Sequence, residues 1–183
     1  MRNTVKHAIV LADREWCEAA TSGKIRVYDF RERKKGIHAL GPGSVCVVLS
    51  KAGKNQPQVV YGEFRVVDVK QVNVNEYNKL ASQGLIYKPQ TLKPGERRWI
   101  IIFDEFREYQ RKVPKEQLTD VKTSTSKKPI SEWVIMGLSY IDDQALEGIR
   151  KKTQITPLNE ISERIKKLEE RVAFIEKLLG VES

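Results

Sequence analysis

The side chains best suited to contacting a ligand are concentrated in residues 121–137, VKTSTSKKPISEWVIMG. Its hydroxyl groups and the backbone N–H groups of such a loop suit the oxygens of phosphates, and contacts of that kind position a nucleic-acid strand without reading its bases. The tryptophan that follows can stack on a base. The residues that we predict here as nucleic-acid contacts are Thr123, Ser124, Lys127, Lys128 and Trp133.

Each of these side chains has a structural alternative. A hydroxyl-rich run without an apolar period is also typical of a solvated surface loop. Trp133 precedes the apolar run VIMG, which suits a place in the core. Glu132 could accept a hydrogen bond from a base N–H, but the sequence favours an ordinary acid on the protein surface. The sequence leaves these alternatives open.

Two further clusters of positive charge lie earlier in the chain. RERKK at 31–35 follows a predicted strand and would line the mouth of a barrel, and GERRW at 95–99 ends at a tryptophan. Alternation along the strand that begins there places Trp99 on an apolar face, so we expect Trp99 in the core. The remaining predicted nucleic-acid contacts are Lys24, Arg26, Arg31, Arg33, Lys34, Lys35, Arg97 and Arg98.

Signals of catalysis are weak. The sequence has no G-x-S-x-G, H-E-x-x-H or Walker A pattern. Two histidines and two cysteines are scattered along it, which argues against a zinc site. His7 lies in a predicted strand and is interpreted as structural, and His38 lies in a loop without an identifiable partner for proton transfer. We therefore predict no catalytic residue, no metal and no cofactor.

Charge and length limit the class of protein. The 183 residues are enough for one domain with an appendage, and the net charge is +9. A basic excess favours a polyanionic partner, for which nucleic acid is the default, although a lysine-rich proteome would also explain it. No apolar run approaches the roughly 20 residues of a membrane span. We expect a cytoplasmic protein without a membrane partner.

The C-terminal residues 157–181 predict a coiled coil. Apolar residues recur there at alternating intervals of three and four, and Arg164 and Arg171 at g match Glu169 and Glu176 at e of a parallel partner. A helix packed on its own domain is the alternative, and isoleucine at d leaves a trimer open. The residues predicted to form a homodimer are Leu158, Ile161, Ile165, Leu168, Val172, Ile175 and Leu179.

Residues 1–152 predict a single domain of mixed strands and helices, with no regular βαβ repeat. Gly62 indicates a bulge inside a long strand. The predicted strands are 7–12, 24–30, 44–50, 59–72, 97–106 and 107–113, and residues 132–140 are predicted as a strand or a turn. The predicted helices are 13–23, 73–84 and 142–152, with a single turn at 114–118.

Three motifs in this domain occur in a recognisable order. SGK at 22–24 precedes a strand that closes on Arg31, GPG at 41–43 forms a turn before a strand, and Gly62 and Phe64 mark the next strand. In this order they resemble the PUA-like superfamily, in particular an archaeal-type member of its ASCH and EVE branches. The resemblance implies an α+β fold, namely a PUA-like mixed β-barrel with flanking helices, here followed by the C-terminal coiled-coil helix.

The resemblance also implies function. It points to RNA or to nucleotides that carry modified bases, and some relatives are similar to amidohydrolases or nucleases. Such an activity would use Lys24 with Asp29 or Glu63, although Asp29 stands where the family pattern often has glutamate. We predict a dimer that binds RNA or single-stranded DNA in a basic, aromatic-lined cleft. A reader or hydrolase of one modified nucleoside and an oligomeric scaffold are the alternatives.

Overall fold

The computed structural model describes residues 7–31, 36–53, 56–124, 127–135 and 137–154, together with residue 169. These residues form an α+β fold, as predicted. The strands are β1 (His7–Ala12), β2 (Val27–Phe30), β3 (Val45–Ser50), β4 (Val59–Asn73), β5 (Arg97–Pro114) and β6 (Leu138–Ile141). The helices are α1 (Arg14–Thr21), α2 (Val74–Ser82) and α3 (Asp143–Thr153).

One mixed sheet contains all six of these strands, in the order β2-β5-β4-β3-β1-β6. β1 pairs in parallel with β3, and the other neighbours are antiparallel. The sheet is not closed, because β2 and β6 form its two edges. The predicted barrel is therefore wrong in its closure, although the mixed sheet and the flanking helices are confirmed.

The sheet is nevertheless strongly curled. β2 and β1 are four positions apart in the strand order, which would separate them by about 19 Å in a flat sheet. The Tyr28 hydroxyl of β2 nevertheless donates a hydrogen bond to the Leu11 carbonyl of β1 at 2.7 Å. The bending occurs in β4, where the register with β5 shifts at three places between Val60 and Asp68. Such bulges bend a strand and increase its twist.

Gly62 is required at the first of these shifts. A Cβ atom at this position would lie 2.4 Å from the Arg107 carbonyl oxygen and 2.7 Å from the Phe106 ring. The carbonyl belongs to the backbone of the neighbouring strand and cannot rotate away. The predicted bulge at Gly62 is confirmed, and its cause is the close approach of β4 and β5.

Apolar side chains fill both faces of the central strands. The concave face packs against α1, with Trp16 and Cys17 beside Phe64 and Phe103. The opposite face of β1 and β3 packs against α3. A third cluster lies between α2 and β5. Burial on both faces explains why β1 and β3 read as continuous apolar runs instead of alternating ones.

Two groups of polar contacts fix α3 against the sheet. Glu63 of β4 accepts hydrogen bonds from Arg150 of α3 at 2.9 Å and from the Tyr109 hydroxyl at 2.6 Å. His7 accepts the Val45 backbone N–H through Nδ1, so its Nε2 donates to Asp143 at 2.8 Å. His7 is buried. Its contacts agree with the structural interpretation.

The predicted helices occur within a few residues of their expected limits. Asn73 and Glu76 form a capping box at the start of α2, and Gly23 follows α1 with a positive φ of 72°. The two strands predicted at 97–106 and 107–113 are wrong as separate elements, because β5 runs through both. The short helical turn after Pro114 is confirmed as a 3-10 turn, Lys115–Gln117.

The described fold ends with Thr153, which is fully buried, and Gln154. The predicted dimerisation residues 158–179 of the coiled coil lie outside the described residues. The division into domains at 152 and 157 and the homodimer therefore stay predictions. Among the described helices, none has both the length and the apolar character needed to cross a membrane.

We predict that Gly62→Ala destabilises the fold by about 2–3 kcal/mol, because the added methyl group overlaps backbone atoms of β5. Urea unfolding measures this loss. Gly41→Ala is the matched control, since a Cβ atom at Gly41 meets no atom within 4 Å. Equal stability of the two variants would contradict the packing explanation.

Candidate functional site

A cleft occupies the gap that the curled sheet leaves between β2 and the end of β1. Its volume is about 620 Å³, inside the range of roughly 300–1,000 Å³ that is typical of small-ligand sites. The loop between α2 and β5 forms one side of it. The lining residues are Leu11, Ala12, Asp13, Trp16, Tyr28, Asp29, Phe30, Arg31, Lys51, Tyr87, Lys88, Gln90 and Arg98.

Aromatic rings form the walls of this cleft. Trp16 is buried and meets Tyr28 edge to face, with ring centroids 5.6 Å apart. Tyr28, Phe30 and Tyr87 are half-buried, so part of each ring remains accessible. Burial raises the pKa of Tyr28, which keeps its hydroxyl a donor to Leu11. The walls therefore offer flat apolar surfaces that are held in fixed orientations.

The floor of the cleft is polar and carries a network of hydrogen bonds. The Tyr77 hydroxyl donates to Asp29 Oδ2 at 3.0 Å, and the same hydroxyl accepts the Gln90 backbone N–H at 3.3 Å. Arg98 donates through Nη2 to the Gln90 side chain. Tyr77 thus holds one oxygen of Asp29, and Gln90 holds one end of the Arg98 guanidinium.

The two charged groups of the floor, Asp29 and Arg98, are each engaged by the protein only in part. Burial raises the pKa of Asp29, and the hydrogen bond from Tyr77 and the charge of Arg98 only partly oppose this. Arg98 is 4% exposed, and its Nε has no hydrogen-bond partner among the described residues. No ion pair within the described ranges joins Asp29 to Arg98. Buried polar groups of this kind usually have a partner.

The rim of the cleft, which we define as Arg31, Lys51 and Lys88, carries three cations. Each is paired with an acid: Lys51 with Asp13 at 3.0 Å, Lys88 with Glu15 at 2.5 Å, and Arg31 with Glu96 at 3.8 Å. Asp13 is the N-cap residue of α1, but its side chain makes no capping hydrogen bond. The rim is therefore a ring of ion pairs, less basic than its cations alone suggest.

The structure brings only some of the predicted contact residues to the cleft. Arg31 and Arg98 line it. Lys24 is exposed after the end of α1, and Arg26 is half-buried at the start of β2. Arg97 lines a separate depression with Asn73 and Glu96. The predicted contacts Arg33, Lys34 and Lys35 lie outside the described residues.

The predicted contacts of the 121–137 segment lie elsewhere. Thr123, Ser124 and Lys127 line a depression of about 700 Å³ beside α3, together with Lys122 and Lys151. Three acids, Asp120, Asp142 and Glu147, line it too. This depression is consequently close to neutral.

Two other residues of that segment line neither cavity. Lys128 is exposed. Trp133 is half-buried against the cluster under α3 and donates its indole N–H to Ser139 at 3.1 Å. The sequence left a core position open for Trp133, and its packing against this cluster is closer to that alternative than to an exposed stacking surface.

The hydrolytic set suggested by the resemblance is not assembled. Glu63 is engaged by Arg150 and Tyr109 away from the cleft, and Lys24 is absent from the described lining that contains Asp29. Sequence reasoning did not predict Lys51, Tyr87, Lys88 or Gln90 as site residues. No local pattern distinguishes them from ordinary loop residues. Asp29 did carry a signal, because it is an acid within the short strand VYDF.

Comparison with solved structures identifies the fold. The crystal structure of ASCH from Zymomonas mobilis matches with a TM-score of 0.60 and 14% identity, over 81% of this chain and 96% of that one. A hypothetical protein from Leishmania major matches with a TM-score of 0.52 and 11% identity, over 81% and 94%. The N-terminal domain of Staphylothermus marinus McrB gives 0.51 and 14%, over 79% and 93%.

These similarities show that the chain has an ASCH/PUA-like fold, which confirms the resemblance at the level of fold. No protein-family model matches the sequence, and no curated protein matches it either.

Asp29→Asn is predicted to gain stability relative to the natural protein as the pH rises. Burial raises the pKa of Asp29 in the folded state, so the protonated carboxyl contributes stability at pH values below its unfolded-state pKa. That contribution is lost as the pH rises through the folded-state pKa. The asparagine oxygen can still accept from Tyr77 but does not ionise. Urea unfolding at pH 4 and pH 7 measures the difference, and a difference that is the same at both pH values would contradict the prediction.

Proposed function

We propose that this protein binds nucleic acid by taking one base of an RNA or DNA single strand into the cleft between β1 and β2. The observation that carries the proposal is the combination of aromatic walls, a half-buried acid and a buried arginine on the floor, and three cations at the rim. Few other ligands are flat, rich in hydrogen-bonding groups on one edge and connected to phosphates on the other.

Each part of the cleft has a role in this binding. A base would stack on the accessible faces of Phe30 and Tyr87, a contact worth roughly 1–3 kcal/mol. Asp29 would accept a hydrogen bond from a base N–H, and Arg98 would donate to a ring nitrogen or carbonyl oxygen. Arg31, Lys51 and Lys88 would contact the adjoining phosphates. A base in a duplex would first have to leave its stack, so single strands are favoured.

The coiled coil, as a parallel homodimer, would join two such clefts. Two sites on one polymer act together, and the second binding event becomes intramolecular, which can raise the overall affinity by about 10²–10⁴ without any new contact. In this proposal the C-terminal helix contributes valence, and the cleft contributes the contacts.

The cleft is also compatible with the narrower role of a reader of one modified nucleoside. An enclosed floor with a fixed donor and a fixed acceptor distinguishes bases by the groups on their edges. Such a reader binds a free nucleoside with an affinity that salt does not change. A backbone-led binder loses affinity with salt, with a logarithmic slope of about −0.7 for each phosphate contacted on a single strand.

Phe30→Leu is predicted to weaken binding of a fluorescent single-stranded oligonucleotide by about ten-fold, because leucine fills the space but cannot stack. Arg31→Gln should reduce the salt slope by about 0.7, and Lys127→Gln, a matched loss of charge beside α3, should leave it unchanged. Fluorescence anisotropy at several salt concentrations measures both effects. If Lys127→Gln has the larger effect, the strand passes over the depression beside α3 instead.

Truncation after Gln154 is predicted to convert a dimer into a monomer and to weaken binding of long single strands far more than binding of short ones. The cut is placed there because Thr153 is fully buried and the compact unit that contains the cleft ends at that residue. Analytical ultracentrifugation and anisotropy measure the two effects. A full-length protein that sediments as a monomer would contradict the predicted coiled coil.

A further inference from the structure

Glu15, in the first turn of α1, holds two residues of the loop that forms one side of the cleft. Its Oε2 accepts hydrogen bonds from the Tyr87 hydroxyl and from Lys88 Nζ, each at 2.5 Å. Lys88 Nζ also lies over the Tyr87 ring, 5.1 Å from its centroid. One carboxylate therefore fixes both an aromatic wall and a cation of the rim.

The tip of the loop is held from two sides: Gln90 is bonded to Tyr77 and Arg98, whereas Tyr87 and Lys88 are bonded to Glu15. Ile86 and Leu92 are buried in the cluster beside α2, and residues 87–91 between them project toward α1 and the cleft. Lys88 has a φ of 44°, in the left-handed region that residues other than glycine seldom adopt. Among the side-chain contacts of the described residues, the hydrogen bonds to Glu15 are those that hold Tyr87 and Lys88 in this part of the loop.

We propose that Glu15 is a positioning residue that fixes Tyr87 as a wall of the cleft and that also competes with a ligand phosphate for Lys88. The inference rests on the proposed function of the cleft. In addition, Glu15 limits the affinity of the protein for the strand, because it competes with the phosphate for Lys88. Tight binding then requires a base in the cleft as well as a phosphate at the rim.

The exchange of partners is physically reasonable because the pair is exposed. The side chains of Lys88 and Glu15 are 70% and 69% accessible. Exposed ion pairs contribute little to stability, since water and salt screen them. A phosphate offers Lys88 a full negative charge and several acceptor oxygens, so it can replace the carboxylate with little loss. Lys51 and Asp13, the N-cap residue of α1, form a similarly exposed pair.

Glu15→Gln separates the two roles. The glutamine oxygen still accepts from the Tyr87 hydroxyl, but the charge that competes for Lys88 is gone. We expect the full-length variant to bind a mixed-sequence single-stranded oligonucleotide about three-fold more tightly than the natural protein. Binding of the same sequence with uncharged methylphosphonate linkages should not change. Fluorescence anisotropy at constant salt gives both affinities.

Two more variants complete the test. Glu15→Ala removes the acceptor for Tyr87 as well, and it should weaken binding of the methylphosphonate oligonucleotide. In a Lys88→Gln background, Glu15→Gln should have no effect on either ligand. The proposal would be overturned if Glu15→Gln bound the phosphodiester oligonucleotide with unchanged or weaker affinity. It would also be overturned if this variant gained equally for the phosphodiester and the methylphosphonate oligonucleotides. If the natural protein binds neither oligonucleotide, the proposed function itself is wrong.

Discussion

The curl of the sheet is the constraint on which the rest of the structure depends. The bulges of β4 bring the edge strand β2 close enough to β1 for the Tyr28 hydroxyl to reach the Leu11 carbonyl. The two strands meet through a side chain and do not pair along their backbones. A closed barrel would fill this gap with backbone hydrogen bonds, and a flat sheet would leave no enclosure. The partly closed sheet leaves a cleft whose walls belong to the hydrophobic core.

Positive charge at the cleft is more fully paired with acids than the net charge of +9 suggests. The rim cations are paired with Asp13, Glu15 and Glu96, and the depression beside α3 is similarly balanced. In the proposed binding mode, long-range attraction of a polyanion would therefore depend on the total charge, and the contacts at the cleft would depend on exchange between carboxylates and phosphates.

The sequence was sufficient for most elements and for the fold class, because those follow from local patterns. The helix predicted at 73–84, the bulge predicted at Gly62 and the core position predicted for Trp99 follow from local signals, and the structure confirms them. The candidate site was less predictable because its residues come from six separate parts of the chain, namely β1, α1, β2, the loop after β3, the loop between α2 and β5, and β5. Lys51, Tyr87 and Gln90 meet only after the sheet has curled, and sequence spacing does not contain that distance.

Two acids in this fold, the buried Glu63 and the half-buried Asp29, have opposite environments. Burial of Glu63 favours a raised pKa, but hydrogen bonds from Arg150 and Tyr109 outweigh it, and its pKa is lowered. Asp29 lies near Arg98 without forming an ion pair within the described structure, and burial dominates its pKa. A pairing that would have stabilised the fold is absent where the cleft opens. The buried Arg98 Nε is the group that lacks a hydrogen-bond partner among the described residues, and such polar groups are characteristic of sites that are completed by a ligand. In the proposed binding mode, Asp29 and Arg98 would therefore be the groups of the floor that contact the edge of a bound base.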